Sequence, residues 1–295
     1  MKKVAVLLTV YNRIEKTVLC LNSLCSSIQT ADGISLDVFI TDDKSTDGTE
    51  ETIKTLFPQE NIYLLKGSGN LYWNGGMINS WKSALKKGGY NGYLWLNNDT
   101  ELLPNLWSEL KEADLYSKSH FGQGGVYVGS TCDRGKTKLT YGGFNYINKW
   151  ILKDQFVIPD GTFQPCQCAH GNVTYVSKDV VNKQGIICDK YLHGGGDHDY
   201  TYRAYKKGLP VFILRDYVGI CENDHDEQRD QDAFFSMKLK DRINYLNSPL
   251  GYNQRNTLLF QKRCFPYRYP FVWFIGYMKA LFPRSSSKVY RYFRR

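Results

Sequence analysis

Short apolar segments alternate with helical patterns along the first hundred residues. Apolar side chains between the segments recur at helical spacing, as in Met77, Trp81 and Ala84. Strands that alternate with helices in this way are typical of βαβ units, whose crossovers are right-handed. We therefore expect a βαβαβαβ order and a doubly wound parallel sheet. The four apolar segments are 4–9, 36–40, 62–65 and 93–96.

The sequence also predicts where the intervening helices begin. Asn12 with Glu15, and Asp47 with Glu50, have the spacing of a capping box, in which the first side chain accepts a helix N–H and the second reaches back. The helix after the third strand is expected to begin near Gly76.

A polar cluster follows the carboxyl end of each predicted strand. Because the carboxyl ends of parallel strands share one edge of the sheet, these clusters should converge there and form a nucleotide crevice. The first turn has no G-x-G-x-x-G motif and the chain has no P-loop motif, so the nucleotide would be bound through side chains and a metal. The clusters are Thr9, Tyr11 and Asn12; Asp42 and Asp43; 67–76; and Asn98 and Asp99.

Asp99 is the candidate metal ligand of that edge. A carboxylate beside amide side chains suits a hard divalent cation such as Mg²⁺ or Mn²⁺ that holds a diphosphate. An Asn/Asp turn that only caps the next element would have the same composition.

Two glycine-rich segments are further candidates for ligand contact. Residues 69–77 carry glycines that allow close approach and precede a helix N-terminus, although a glycine turn with packed aromatic residues is the alternative. Residues 191–204 place Asp197 and Asp199 after three consecutive glycines, where the carboxylates could also be simple helix caps. Cys166, Cys168 and His170 are spaced like zinc ligands, but no C-x-x-C pair accompanies them, and zinc is not favoured.

The sequence pattern in the middle of the chain predicts both helices and strands. Leu106 and Leu110 indicate a helix, residues 124–128 and 172–176 indicate strands, and 141–144 with 155–158 resemble a hairpin. A further strand is expected at 209–214, and an amphipathic helix around 234–243.

The positive charge lies at one end of the chain. The 295 residues have a formal net charge of +9, 42% hydrophobic residues and eight scattered cysteines, which is typical of a globular cytoplasmic protein with reduced thiols. Residues 262–295 hold nine Lys/Arg, no Asp/Glu and eleven aromatic residues, and the remaining 29 basic residues equal the 29 acidic ones. We therefore expect no nucleic-acid partner for the body.

The basic, aromatic tail favours contact with a membrane. The apolar part, 271–278, is too short to cross a bilayer, which takes ~20 residues. Aromatic and cationic residues together suit a helix lying in the interface of an anionic membrane. An RNA-binding arm is less favoured, and a helical cap on the catalytic domain is compatible with the membrane interpretation.

Three segments, 4–13, 40–49 and 94–99, resemble in order the motifs of family 2 glycosyltransferases. The resemblance covers roughly residues 1–225 and implies the GT-A fold, an α/β fold of nucleotide-diphospho-sugar transferases with a Rossmann-like, mostly parallel sheet. Residues 226–295 would form a C-terminal helical extension. The resemblance implies that the donor nucleotide is bound by residues at the carboxyl edge of the sheet and by residues of the 69–77 loop. The donor set is Thr9, Tyr11, Asn12, Asp42, Asp43, Gly69, Trp73, Asn74, Gly75 and Asn98.

The resemblance also implies where metal and acceptor bind. Asn98-Asp99 stands where the family has its D-x-D-type pair, so Asp99 would be the charged ligand, with His225 completing the site. The segment 196–204 resembles the family's E-D-x-D-x-x-x-R-A segment with Gly196 in place of Glu, and Asp197 matches the general base. His170 and Gly171 would lie in a tight loop beneath the acceptor, Asp199 would anchor its loop or touch the acceptor, and Arg203 would pair with a carboxylate.

The expected activity is inverting, metal-dependent transfer from a UDP- or dTDP-sugar to a surface-polysaccharide (capsule or O-antigen) or lipid-linked glycan. Rhamnosyl and galactofuranosyl transfer both fit the resemblance, and the enzyme would act at the inner face of the cell membrane. Nucleotidyl transfer is disfavoured because the first turn lacks a glycine-rich, Lys/Arg-bearing loop. A non-catalytic sugar-nucleotide-binding scaffold stays open because Asn98 and Gly196 replace family carboxylates.

Overall fold

The structure, a computed structural model, describes residues 1–29, 33–58, 61–223 and 227–286, with only the backbone described for 227–231. The described chain contains twelve strands. They are β1 (Lys3–Val10), β2 (Ser35–Asp42), β3 (Ile62–Lys66), β4 (Gly92–Leu96), β5 (Glu101–Leu102), β6 (Val126–Cys132), β7 (Leu139–Tyr141), β8 (Gly143–Asn148), β9 (Lys153–Phe156), β10 (Cys168–Ala169), β11 (Val173–Ser177) and β12 (Val211–Ile220).

Ten α-helices lie in the described part of the chain. They are α1 (Ile14–Ile28), α2 (Thr49–Leu56), α3 (Tyr72–Lys87), α4 (Leu106–Phe121), α5 (Lys178–Gln184), α6 (Gly196–Lys206), α7 (Glu227–Ser236), α8 (Leu239–Asn247), α9 (Gln254–Cys264) and α10 (Tyr269–Leu281). A 3₁₀ turn at Pro266–Arg268 joins the last two.

The predicted βαβαβαβ unit forms half of the main sheet. Its strand order is β3-β2-β1-β4 and all three pairings are parallel. The sheet then continues with β11, which runs antiparallel to both β4 and β6, and with β12, which is parallel to β6. Strand β5 pairs antiparallel with β12 at the edge, and β7 pairs with the end of β6.

Helices cover both faces of this sheet. Alternate residues of β1 point to opposite faces, as the strand period requires: Val4, Val6 and Leu8 pack with α1, α2 and α4, whereas Ala5 and Leu7 pack with α3 and α6. Burial on both faces explains why the parallel strands are almost continuously apolar. This is the α/β architecture of the GT-A fold.

A smaller sheet joins the C-terminal helices to this body. Strands β10, β8 and β9 form it in that order. Phe144 and Cys168 of the small sheet share one buried cluster with Tyr202 of α6 and with Phe260 and Phe265 from the C-terminal extension. The extension therefore packs directly on the part of the fold that carries α6.

Two helix-start predictions are wrong because the caps come from loops that are distant in sequence. The Ile14 N–H at the start of α1 is bound by Asp47 Oδ2 at 3.0 Å, while Asn12 Oδ1 instead accepts from the Thr46 N–H at 2.7 Å. The two loops thus cap each other, which a local capping box cannot foresee. Helix α3 begins at Tyr72, one turn before Gly76, because it is capped from another loop.

The C-terminal pattern also differs in detail. A single amphipathic helix is expected around 234–243, but the structure has two helices there, because α7 ends at Ser236 and α8 begins at Leu239. Among the helices of the described residues, none is long and apolar enough to span a bilayer. Helix α10 has 13 residues and packs on α8 and α9.

Candidate active site

The polar clusters after β1, β2 and β4 do meet at one edge of the sheet. Asn12 contacts the loop after β2 through Thr46, and Arg13 reaches the loop after β4, where its Nη1 lies 3.0 Å from Asp99 Oδ2. Asp42 stabilises the loop that follows β2, because its Oδ1 accepts a hydrogen bond from the Ser45 N–H at 2.8 Å. Tyr11 is 55% exposed at this edge and leaves its ring free for contact.

Asp43 connects the edge to the glycine segment. Its Oδ1 accepts the Gly69 N–H at 2.6 Å, and its Oδ2 accepts the N–H groups of Leu71 and Tyr72 at 2.8 and 3.1 Å. A carboxylate at a helix N-terminus satisfies donors that have no intrahelical partner. The structure therefore shows Asp43, which is expected to line the donor pocket, holding the start of α3.

Thr9 fits closely against the same helix. A Cβ placed on Gly76 would overlap the Thr9 side chain, so only glycine at 76 lets α3 approach the end of β1 this closely. This contact, together with the Asp43 cap, fixes the segment from Gly69 to Gly75 beside the sheet edge.

Asn98 and Asp99 point in different directions. Asn98 is buried and its Nδ2 donates to Thr17 Oγ1 of α1 at 2.9 Å. Asp99 remains accessible, with 22% of its side chain exposed, and its Oδ1 accepts from the Cys221 thiol at 3.7 Å. Asn98 thus has a structural contact, and Asp99 is the carboxylate that a ligand can reach.

A metal at this place would depend mainly on Asp99. Within the described residues no group of three His, Cys, Asp or Glu side chains is arranged to hold a metal ion, and His225 lies outside them. Burial raises the pKa of the Cys221 thiol to about 12 and that of the Cys20 thiol further, and thiolates are poor ligands for Mg²⁺ and Mn²⁺, which prefer oxygen. One carboxylate fits Mg²⁺ or Mn²⁺ only if substrate phosphates and water supply the other oxygens.

Trp73 links this edge to the loop that precedes β11. Its Nε1 donates to Asn97 Oδ1 at 2.7 Å, and its ring lies flat enough on Gly171 that a Cβ there would come within 2.5 Å. Trp73 also packs edge-on against Trp95 of β4. The indole therefore forms a wall shared by the donor edge and the Gly171 loop.

Asp197 stands on the other side of that wall. It opens α6, and its Oδ2 accepts the Gly171 N–H at 3.0 Å while its Oδ1 accepts the His198 N–H at 2.9 Å. The Gly195 N-cap is in the left-handed conformation with φ 80°, which the run of glycines permits. Asp197 is half-buried and keeps a solvent-facing side.

One pair of adjacent strand ends brings Asp99 and Asp197 into the same region. The Asn97 N–H donates to the Asn172 carbonyl at 3.0 Å, and Asn172 Nδ2 contacts Cys221 Sγ, the thiol that donates to Asp99. Residue 171, next along the chain, holds Asp197. A continuous set of contacts therefore links the segments that carry the two carboxylates, and their membership of one site stays a prediction.

Asp199 lies deep inside the protein rather than on the site surface. Its side chain is fully buried, and it binds Arg203 Nε at 3.0 Å and Arg263 Nε at 2.7 Å. Arg263 belongs to α9, 64 residues away, and the hydrogen bond raises its pKa above the usual range. These contacts match the loop-anchoring alternative for Asp199 and the expected pairing of Arg203.

Asn74 and Gly196 are fitted to each other. Asn74 is fully buried, and its Nδ2 donates to the carbonyls of Cys188 and Tyr191 at 2.9 Å each. Any side chain at position 196 would overlap Asn74 Oδ1. The glycine found where the family carries Glu is thus required by the packing of this chain.

His170 belongs to an aromatic cluster beside Asp197. Its ring centroid is 5.1 Å from that of His198 and 5.3 Å from that of Phe144, and its Nδ1 contacts the Gly142 carbonyl. Burial and the neighbouring His198 lower the pKa of His170 to about 4. His170 is therefore neutral at physiological pH.

Four contact residues were not predicted as site residues: Arg13, Asn97, Cys221 and Arg263. Arg13 and Asn97 lie within the motifs and could have been found from their position after strands. Nothing local marks Cys221 or Arg263, since their partners are distant in sequence.

Comparison with known proteins supports the architecture. The family model described as "Glycosyl transferase family 2" matches residues 5–180. The S. aureus TarS 1-349 structure in complex with UDP covers 98% of this chain and 91% of its own length, with a TM-score of 0.54 and 15% identity. The mannosyltransferase PcManGT from Pyrobaculum calidifontis, in complex with GDP-Man and Mn²⁺, covers 99% and 82%, with a TM-score of 0.52 and 15% identity.

At this level of identity the two structures show the fold alone. No curated protein matches the chain in sequence. The family match spans more than half of the 295 residues and includes both the donor edge and the Gly171 loop. The chain is a family 2 glycosyltransferase with a GT-A fold.

Proposed function

We propose that this glycosyltransferase transfers a sugar, with inversion, from a UDP- or dTDP-sugar to a hydroxyl of a surface-polysaccharide or lipid-linked glycan. The observation that carries the proposal is the position of Asp197. Its accessible carboxylate lies across the Trp73 wall from Asp99, at the edge of the sheet where α/β folds bind nucleotides. Family membership supplies sugar transfer as the reaction class.

Inversion requires a base on the face of the sugar opposite the leaving diphosphate. Asp197 takes the proton of the acceptor hydroxyl while the hydroxyl oxygen forms a bond to C1 of the donor sugar. The bond between C1 and the diphosphate oxygen breaks, and its electron pair stays on the diphosphate. The Gly171 N–H holds the Asp197 carboxylate in place during this step. Asp99 would hold Mg²⁺ or Mn²⁺, which when bound neutralises charge on the diphosphate.

The donor assignment rests on the site and on the two similar structures. UDP in TarS and GDP-Man in PcManGT are nucleotide ligands of proteins with this fold, and the PcManGT complex also contains Mn²⁺. In this chain the exposed Tyr11 and the Asn12 loop would face the nucleoside, and the Gly69–Gly75 segment the sugar. Rhamnose and galactofuranose are the sugars we propose to test first.

Asp197→Asn tests the base. The substitution keeps the size of the side chain and one of its two accepted N–H bonds but removes the proton acceptor, so we expect transfer to fall by about 10²-fold or more while affinity for UDP stays within about twofold. Release of UDP or dTDP from a panel of nucleotide sugars with Mn²⁺ and methyl glycoside acceptors measures turnover, and calorimetry measures UDP affinity. Asp216→Asn, at an exposed carboxylate of β12, is the matched control. Unchanged turnover in Asp197→Asn removes it from the mechanism, and no turnover by the wild type with any donor favours a binding scaffold.

We also propose that α10 rests on an anionic membrane. Phe271, Trp273 and Phe274 are 64%, 48% and 57% exposed on this helix, with Lys279 near its end. Large exposed aromatics beside cations suit the bilayer interface. The double variant Phe271→Ala/Phe274→Ala should weaken co-sedimentation with vesicles of phosphatidylcholine and phosphatidylglycerol by about tenfold or more.

Phe121→Ala, which removes a ring that is 50% exposed from α4, is the control for this experiment and should bind vesicles like the wild type. Equal sedimentation of the wild type and the α10 double variant contradicts the membrane contact.

A further inference from the structure

A cavity lies beside the start of α6, where Asp197 is found. Its volume is about 330 Å³, at the small end of the ~300–1,000 Å³ typical of small-molecule sites. The β8–β9 hairpin, the glycine loop before α6 and helix α9 form its walls. His198, the residue after Asp197, is part of the lining.

The walls are partly aromatic. Phe144 and Tyr146 of β8 and Phe260 of α9 line the cavity. The Tyr146 hydroxyl contacts Cys168 Sγ at 3.7 Å, so the polar end of that side chain is already engaged and the ring is the part available to a ligand. Flat aromatic faces beside a few polar groups suit the C–H face of a sugar ring.

Three polar groups of the lining have no protein partner. Among the described residues, no hydrogen bond or ion pair is made by the Asp154 carboxylate, the Thr257 hydroxyl or the Nε2 of Gln261. Gln261 is 97% buried, being only 3% exposed, and its Oε1 accepts from Arg268 Nη1 at 2.8 Å. The Gln261 Nε2 is not a buried unsatisfied atom, so it reaches solvent and is available to donate to a ligand oxygen or water.

The charge of the lining restricts the ligand. Asp154 is the one formally charged residue among those that line the cavity, and none of them is Lys or Arg. A diphosphate or phosphodiester would be repelled there, whereas a carboxylate is a good acceptor for sugar hydroxyls. The cavity therefore suits an uncharged, hydroxyl-rich ring and does not suit the donor's phosphates.

The C-terminal extension holds this cavity in shape. Asn253 Nδ2 donates to the His193 carbonyl at 2.6 Å, and Asn256 Nδ2 donates to the carbonyls of His193 and Gly194 at 3.0 and 3.1 Å. These bonds tie α9 to the glycine loop that leads into Asp197. A loop rich in glycine would otherwise be free to move.

We propose that this cavity binds a neutral pyranose ring of the acceptor, next to the hydroxyl that Asp197 deprotonates. The inference rests on the proposed glycosyl transfer and specifies its acceptor as an uncharged saccharide unit gripped between β8 and α9. The cavity adjoins Asp197 through His198, which follows Asp197 in the chain and lines the cavity.

Binding of simple glycosides tests the proposal without requiring turnover. Saturation-transfer NMR on the full chain with UDP uses methyl pyranosides of glucose, galactose, mannose, rhamnose and N-acetylglucosamine, and methyl glucuronide as an anionic probe. We expect at least one neutral glycoside to bind and the glucuronide to bind at least about fivefold more weakly. Thr257→Trp, which fills the cavity, should abolish the glycoside signal.

Two variants make this test independent of folding. Arg255→Trp places the same bulk on an exposed position of α9 outside the cavity and should bind like the wild type. Asp154→Asn changes only an exposed side chain, so it should fold normally and weaken glycoside binding by about fivefold to tenfold.

The outcomes separate this proposal from the proposed function. UDP binding without binding of any neutral glycoside overturns the acceptor cavity and leaves donor recognition standing. Glycoside binding that is unchanged in both Thr257→Trp and Asp154→Asn also overturns it, because the ring would then lie elsewhere. Failure to bind UDP or any nucleotide sugar counts against the proposed function itself.

Discussion

Replacing Arg263 with methionine should destabilise the protein through a contact that joins the C-terminal extension to the helix of the proposed base. Arg263 of α9 binds both oxygens of Asp199, with Nε to Oδ1 at 2.7 Å and Nη2 to Oδ2 at 3.2 Å. Asp199 lies in α6, two residues after Asp197, and is fully buried. Methionine keeps much of the aliphatic packing but removes both donors.

The expected loss follows from the burial of the two partners. Removing one partner of a buried ion pair costs ~3–5 kcal/mol because a charge is left unpaired. Here Arg203 still binds Asp199 Oδ2 at 3.0 Å, and the Arg263 side chain is 27% exposed, so both the penalty and the lost interaction are reduced. We therefore expect the free energy of unfolding to fall by about 2–3 kcal/mol.

Urea unfolding followed by circular dichroism measures this change. Lys262→Met is the matched control, since it removes a neighbouring but exposed positive charge from the same helix and should change the free energy of unfolding by less than about 0.5 kcal/mol. If Arg263→Met differs from Lys262→Met by less than that amount, the Asp199 contact contributes nothing to stability and the reasoning is refuted.

Two further variants test the packing and the electrostatics of the site. Gly196→Ala should lower the free energy of unfolding by about 1–3 kcal/mol in urea titrations, because the new Cβ overlaps the fixed Asn74 amide. The control is Gly135→Ala, where the new Cβ has ordinary contacts and the substitution should cost less than about 1 kcal/mol. Equal effects of the two variants would contradict the predicted clash. The pKa of His170 is about 4 in the folded protein and about 6.5 in the unfolded chain, so on acidification the unfolded chain binds the proton first. The free energy of unfolding of the wild type should therefore fall as the pH falls from about 6.5 toward 4, by at most ~1.4 kcal/mol per pH unit. His170→Gln should flatten this dependence and His120→Gln, at an exposed position, should not; parallel curves for wild type and His170→Gln would contradict the shift.

The strands of the parallel half were predictable because they are apolar on both faces. Each of the four apolar segments became a strand of the sheet, extended by one to three residues, for example from 4–9 to Lys3–Val10. Strand β11 was also found as an apolar run, but its antiparallel direction between β4 and β6 was not. Direction is set by how distant segments connect, and periodicity carries no information on it.

Site residues were predictable where they follow strands, and their individual contacts were not. Asp43 and Asn98 lie at the expected edge, yet Asp43 caps α3 and Asn98 binds Thr17. Both are small polar residues in turns, for which ligand binding and local capping have the same sequence pattern. Only the positions of the neighbouring N–H groups decide between the two.

Contacts between segments that are far apart along the chain could not be derived from the sequence. The Asp199–Arg263 pair spans 64 residues, and the Asn74–Gly196 fit joins α3 to α6. The tail composition predicted an amphipathic, basic extension but gave no sign that its helix α9 would hold the glycine loop. A polar Asn253 or Asn256 in a helix looks like any solvent-facing residue until its partner is known.

The C-terminal extension therefore has one surface that is exposed to solvent, on α10, and another that contacts the loop before Asp197, on α9. Helix α10 carries exposed aromatic rings and packs on α9, and α9 holds the loop before Asp197 through Asn256 and the buried Asp199 through Arg263. A surface that fixes α10 in the plane of a bilayer would also fix the orientation of the acceptor cavity relative to that bilayer. Since a lipid-linked glycan presents its sugars close to the membrane, contact with the membrane and recognition of the acceptor would act through the same helix pair. On this argument the basic tail and the cavity would serve one arrangement: the cations would attract the anionic surface, and the cavity, whose one formal charge is the Asp154 carboxylate, would admit a neutral sugar and repel the phosphate that carries it.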